Sequence, residues 1–192
     1  MSPLQDCFQQ VYRMALAAWQ SHTFWLYTRH DEPLNEDVQK EYWNFFYATH
    51  EAHLTMMIIS LDCLYEKKKP KLYNFETLLE LLCEQIDPET YAGLKLRLKK
   101  LQTKAKGIQI IRNNSFGHIT GWDMRVPAGE KHGPTRLDLL TLCCNAIRLA
   151  RDVGVILQDK HTVTPIEDIQ AKDIEDIQRI FKKLKTDQKI PL

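Results

Sequence analysis

Apolar residues return every three to four positions through most of the chain, and the alternation of a half-buried strand is hard to find. The pattern predicts an all-α fold. A first helix over about residues 5–29 puts Leu4, Phe8, Val11, Ala15, Trp19, His22 and Leu26 on one face and stops at Asp31-Glu32-Pro33. A second, over about 36–67, carries Tyr42, Phe45, Phe46, Thr49, His53, Met56, Ser60 and Cys63 or Leu64. The lysines of its end, Lys67-Lys68-Lys69-Pro70, suit the partial negative charge of a helix C-terminus. Asn74 is placed to cap a shorter helix that runs through Leu78, Leu79, Leu82 and Ile86. Asp87 followed by Pro88 is a favoured start for the next, over about 88–112, whose stripe is Tyr91, Leu94, Leu98, Leu101, Ala105 and Ile108. A fifth, about 136–158, presents Leu140, Cys143, Ile147, Ala150, Gly154 and Leu157. The last begins at Thr164-Pro165-Ile166-Glu167, a capping-box pattern, with Ile169, Ile174, Ile177, Ile180, Phe181 and Leu184 as its stripe. This organisation implies one helical domain over 1–160, including a long loop at 121–135, and a C-terminal amphipathic helix with a short tail over 161–192.

Composition narrows the class. With 192 residues, 44% hydrophobic and 27% charged, the chain can bury one sizeable core. A formal net charge of +1 excludes a uniformly basic nucleic-acid binder, so contact with phosphate has to come from a local patch. The fourth helix supplies one: Lys95, Arg97, Lys99, Lys100, Lys104, Lys106 and Arg112 are seven positive charges in eighteen residues with no acid among them. The five cysteines include no C-x-x-C pair and read as reduced core thiols of a cytoplasmic protein. The N-terminus lacks a basic, then apolar, leader pattern, and no run approaches the roughly 18 apolar residues of a membrane span.

The candidate chemistry lies where the basic helix ends. Ile110-Ile111-Arg112-Asn113-Asn114-Ser115-Phe116-Gly117-His118 places an arginine, a following amide and a histidine with five residues between the two charged groups. Positions six apart on one helix point about 120° away from each other, so the two side chains converge only if the chain changes course between them. Asn113, Asn114, Ser115 and Gly117 favour such a turn. Arginine offers a permanent, forked cation for phosphate, and histidine titrates near neutrality and can move protons at the attacking or leaving oxygen. A second spacing of this kind, Arg125 to His132, sits among Pro127, Gly129, Gly133 and Pro134 with no helix leading into it, and is set aside.

At this motif the chain resembles the HEPN superfamily (higher eukaryotes and prokaryotes nucleotide-binding), over about residues 35–158, and within it the abortive-infection type. The resemblance implies a bundle of four to six antiparallel helices that pairs as a two-fold homodimer, two motifs facing each other across a cleft. It implies a metal-independent endoribonuclease, a toxin or phage-defence effector, in which the RNA 2′-hydroxyl attacks the adjacent phosphorus and leaves a cyclic phosphate. Carried onto this sequence, Arg112 would bind and polarise phosphate, His118 would act as acid or base, and Asn113 would orient one of them. Lys104, Lys106 and Trp122 are candidate substrate contacts, Trp122 as a stacking platform in the long loop. No metal or other cofactor is expected; an antitoxin or nucleotidyltransferase is a possible partner class, although Thr120 stands where the nucleotidyltransferase-regulated toxins often carry a tyrosine. The competing expectation is a catalytically inactive HEPN-like helical protein that binds a partner. His50 and His53, three apart beside Glu51, lack the H-E-x-x-H spacing of zinc hydrolases and are expected to be structural. Trp19, Trp25 and Trp43 are expected as core or interface anchors.

Overall fold

The computed structural model describes residues 2–27, 40–67, 73–115, 134–158 and 166–187, and these contain seven α-helices and no strand. They are α1 (Pro3–Tyr27), α2 (Trp43–Tyr65), α3 (Phe75–Leu82), α4 (Pro88–Lys104), α5 (Lys106–Ser115), α6 (Arg136–Ile156) and α7 (Ile166–Asp187). The fold is an all-α bundle.

Local chemistry starts several of these helices. Ser2 receives the Gln5 N–H on its hydroxyl at 3.2 Å ahead of α1. Asn74 Oδ1 accepts from the Thr77 N–H at 2.8 Å, while its amide donates to the Glu66 carbonyl at 3.1 Å, so one buried side chain starts α3 and ties it to the end of α2. Asp87 Oδ1 takes the Thr90 N–H at 2.8 Å with Pro88 at the first helical position. Thr135 and Asp138 form a reciprocal capping box at the head of α6.

Helix α1 is the organising element, packed on α2, α6, α3 and α7. Its face of Leu4, Phe8, Val11, Ala15, Trp19 and His22 is buried, and Leu26 is half-buried. Across from it lie Met57, Ile58, Leu61 and Leu64 of α2, Leu78, Leu79 and Leu82 of α3, and Leu142, Ala146, Ile147 and Val153 of α6 in one continuous core. Tyr65 donates its hydroxyl to the Leu142 carbonyl at 2.8 Å and fastens α2 to α6; burial pushes its phenol well above the ordinary value.

Several boundaries and phases differ from the pattern. The single basic helix expected over about 88–112 is two helices, divided at Ala105. There the Ala105 N–H bonds the Leu101 carbonyl at 2.8 Å, but the Ile108 N–H bonds only three residues back, to Ala105, at 2.9 Å. The apolar stripe survives the division, since Leu94, Leu98, Leu101, Ala105 and Ile108 are all buried. Helix α3 stops at Leu82, short of Ile86. On α2 the buried face is rotated from the expected one: Phe46, Ser60 and Leu64 are inside, but Phe45 and Met56 face outward. That helix is apolar on most sides, so periodicity gives it no single phase and packing on α1 decides. Cys7 and Cys143 are buried and Cys63 and Cys144 half-buried, whereas Cys83 is exposed, contrary to a core role for all five.

Candidate functional site

The change of course at Ala105 redirects the chain just before the motif. Gly107 follows it, and a Cβ there would stand 3.1 Å from Pro134 Cδ, so α5 approaches the segment leading into α6 more closely than a side chain at this position would ordinarily sit. Ile108 is fully buried and Ile111 packs partly into the core, which fixes α5 rotationally against α2. Arg112, the next residue, is thereby brought to the side of α2.

There Arg112 Nη1 meets Asp62 Oδ2 at 2.5 Å. The Asp62 side chain is wholly buried, and that of Arg112 retains 36% exposure. A carboxylate inside an apolar core is tolerated only when a cation and hydrogen bonds compensate for lost water. Asp62 therefore holds the guanidinium in place from beneath, while its outer part remains in reach of solvent.

Beside this pair is a cavity of about 10 Å³, lined by Asp62, Tyr65, Gln102, Ala105 and Gln109, which is the space of a single water. Gln102 Nε2 is buried there without a hydrogen-bond partner among the described residues.

The basic run is sorted by the fold into anchored and outward charges. Arg97 pairs with Asp152 of α6. Lys95 lies 3.9 Å from Glu76 of α3 and 5.9 Å from the centre of the Tyr91 ring. Lys99, Lys100, Lys104 and Lys106 are exposed, the last two on either side of the Ala105 break. Lys104 adds a minor share to the lowering of the Asp138 carboxyl below its usual range, which the hydrogen bonds from Thr135 dominate.

Asn113 is in α5, directly after Arg112. The helix continues to Ser115 through three residues of weak helix preference, whose penalties of under about 1 kcal/mol each are small beside the packing of Ile108 and Ile111. The structure thus joins Arg112 to Asp62 and places Lys104 and Lys106 on the approach to α5; His118, Thr120, Trp122 and most of the 121–135 loop lie outside the described residues. His50 and His53 are engaged in the α1/α2 seam, with His50 at 5.6 Å from the Trp25 ring and His53 stacked on Phe24 at 4.3 Å. Trp19 and Trp25 are buried, and Trp43 is exposed and stacked on Tyr47.

Sequence reasoning missed Asp62 and Gln102. The signal for Asp62 was present: a lone acid in Met56-Met57-Ile58-Ile59-Ser60-Leu61-Asp62-Cys63-Leu64-Tyr65 cannot be buried without a cationic partner. Which arginine would answer it was not legible, since Arg112 is 50 positions away.

The sequence model of the family HEPN_AbiU2, described as AbiU2, matches residues 1–181, a longer stretch than the motif's neighbourhood and one that takes in α1 and most of α7. No curated protein and no solved structure matches the chain. A match over nearly the whole length, on an all-α bundle, shows that the chain belongs to the HEPN_AbiU2 family, an abortive-infection type of the HEPN superfamily.

Proposed function

We propose that this protein is a metal-independent endoribonuclease of phage defence, acting as a toxin or abortive-infection effector, with Arg112 and His118 as its catalytic pair. The observation that carries the reading is the Arg112 guanidinium itself. It sits in the last turn of α5, held by a fully buried carboxylate, part-exposed, and six residues ahead of the histidine. A structural ion pair would account for Asp62 and Arg112 alone; family membership and the following histidine are what favour chemistry.

In this reading Asp62 is a positioning residue. It fixes Arg112 so that little reorganisation is needed when charge grows on the phosphate oxygens. His118 takes the proton of the ribose 2′-hydroxyl, the oxygen attacks the adjacent phosphorus, and the 5′-oxygen of the next nucleotide leaves with a proton. The products are a 2′,3′-cyclic phosphate and a 5′-hydroxyl. One histidine serves poorly on both sides of the same phosphate, and a second copy of the chain related by a two-fold axis supplies the other. Asn113 orients one of the catalytic pair, Lys104 and Lys106 draw the RNA backbone toward α5, and Trp122 stacks a base.

A surface for that second copy is at hand on α2. Phe45, Thr49, Ala52, Met56, Ile59 and Cys63 share one face by their spacing, about 27 Å long, and Phe45, Met56 and Ile59 are 62%, 51% and 41% exposed. The same stripe equally favours the second reading, an inactive HEPN-like protein that binds a partner through this face. A cellular antitoxin or nucleotidyltransferase would restrain the nuclease.

The test is RNA cleavage in EDTA with a substrate carrying one 2′-deoxynucleotide on the 5′ side of the mapped cut. Loss of that cut alone, with other sites unaffected and all-DNA resistant, is expected. A cut that persists at the deoxy position refutes attack by the 2′-hydroxyl.

A further inference from the structure

Where α7 lies across α1 and α2, the seam does not close. A cavity of about 270 Å³ remains, lined by Gln20 and Phe24 of α1, His53 of α2, and Asp173, Asp176 and Ile177 of α7, among others. This approaches the lower end of small-molecule sites, which begin at about 300 Å³. Dry voids left by imperfect packing are lined by apolar side chains; this lining is mixed, and beside Gln20 and His53 it carries two carboxylates.

The lining has three components. Phe24 and His53 stack with ring centres 4.3 Å apart and planes 24° from parallel. Burial lowers the His53 imidazole from its usual value, and its Nδ1 lies 3.5 Å from Ser21 Oγ. The stacked pair forms one wall, and the face of a phenyl ring such as that of Phe24 attracts cations. Ile177, itself buried, and Ile180 form an apolar wall. The third component is acidic. The Asp173 carboxyl takes a hydrogen bond from the Gln20 side chain and is raised from its usual value by burial, yet its Oδ2 is buried without a hydrogen-bond partner among the described residues; Asp176 pairs with Arg179, a residue outside the lining, at 2.8 Å. Among the described lining residues none is a lysine or arginine. A buried carboxylate oxygen lacking a donor is costly, and here it borders an opening large enough to admit one.

We propose that the α1/α2/α7 cavity binds a small organic cation, a primary ammonium or guanidinium on an apolar stem, with Asp173 accepting its N–H and the Phe24–His53 pair and Ile177 packing on the stem. An anionic ligand would meet two carboxylates and no cation in the lining, and an uncharged apolar one would leave Asp173 as it stands. The site is separate from Arg112, which is on α5, and the inference does not rest on nuclease activity. It gives α7 a role: occupancy would tie the C-terminal helix to the bundle, because the ligand touches α1, α2 and α7 together.

Isothermal titration of the full chain with phenethylamine and with agmatine, beside 2-phenylethanol as the uncharged counterpart of the first, tests this. At least one amine is expected to bind once per chain with a Kd of about 1 mM or tighter, and phenylethanol about tenfold more weakly or not at all. Asp173→Asn, which keeps the shape and removes the charge, is expected to weaken the amine about tenfold or more. Phe24→Leu, a second variant that keeps apolar bulk, is expected to weaken it several-fold through loss of the ring face. Amide shifts on binding are expected around residues 20–24, 53 and 173–180. No saturation by either amine at about 10 mM, equal affinity for phenylethanol, undiminished binding by both variants, or shifts centred elsewhere would each overturn the proposal.

Discussion

Asp62 is enclosed by the apolar residues of α2, and a carboxylate so placed costs several kcal/mol unless a cation answers it. Arg112 does so at 2.5 Å. Asp62→Ala is therefore expected to lower unfolding free energy by about 2 kcal/mol, less than the roughly 3–5 kcal/mol of a fully buried pair because Arg112 keeps part of its side chain in water. Urea denaturation measures it. The same variant is expected to lower kcat for RNA more than it raises KM, since the guanidinium would still be present but no longer oriented. Arg112→Lys retains the charge beside Asp62 and loses the fork. It is expected to stay within about 1 kcal/mol of wild-type stability while cleavage falls about 100-fold, and full activity in this variant would argue that Arg112 serves only as an ion-pair partner. At this scale the sequence displays Arg112 and His118 through their spacing, but the carboxylate that answers Arg112 lies 50 positions away, which no local pattern encodes.

Among the elements, starts were more legible than faces. Asn74 and Asp87-Pro88 carry their capping chemistry in the residues themselves, and the structure puts helix starts at Phe75 and Pro88. Helix α2 offered too many apolar positions to choose a side, and the break at Ala105 was hidden because the stripe from Leu94 to Ile108 runs through it. Two glycines on either side of the break measure its constraint. Gly93 has open space where a Cβ would go, so Gly93→Ala is expected to stabilise by about 0.5–1 kcal/mol through helix preference. At Gly107 the same preference is opposed by the 3.1 Å approach to the stiff Pro134 ring, and Gly107→Ala is expected to be no more stable than wild type. Equal stabilisation by both would show that α5 can retreat from Pro134. The caps respond to acid. Hydrogen bonds from Thr90 and Thr135 hold the carboxyls of Asp87 and Asp138 below their unfolded value of 3.8. The stability they bring is present above that value and is lost as pH falls through the folded values. Circular dichroism melts between pH 6 and 2 are expected to show a shallower acid loss in the Asp87→Asn, Asp138→Asn double variant.

For the whole molecule, the all-α architecture and the outline of most helices were legible because amphipathic periodicity follows from packing around a single core. Assembly was not, since an outward apolar face looks the same in sequence as an inward one. Among the described residues no helix is long and apolar enough to cross a membrane, and the α2 stripe is an outward apolar face of the kind that marks an interaction surface. Ile59→Glu places a charge near its middle without touching the core. Sedimentation is expected to shift from dimer to monomer, with RNA cleavage lost alongside; a dimer that persists would move the two-fold contact off α2.

Whether Arg112 and His118 make a nuclease is decided by comparing wild type with His118→Ala on end-labelled total RNA in EDTA. Fragments ending in cyclic phosphate are expected from wild type only, with the variant folded and of the same oligomeric state. Equal cleavage by the two proteins, or fragments with other ends, would contradict that role for the pair.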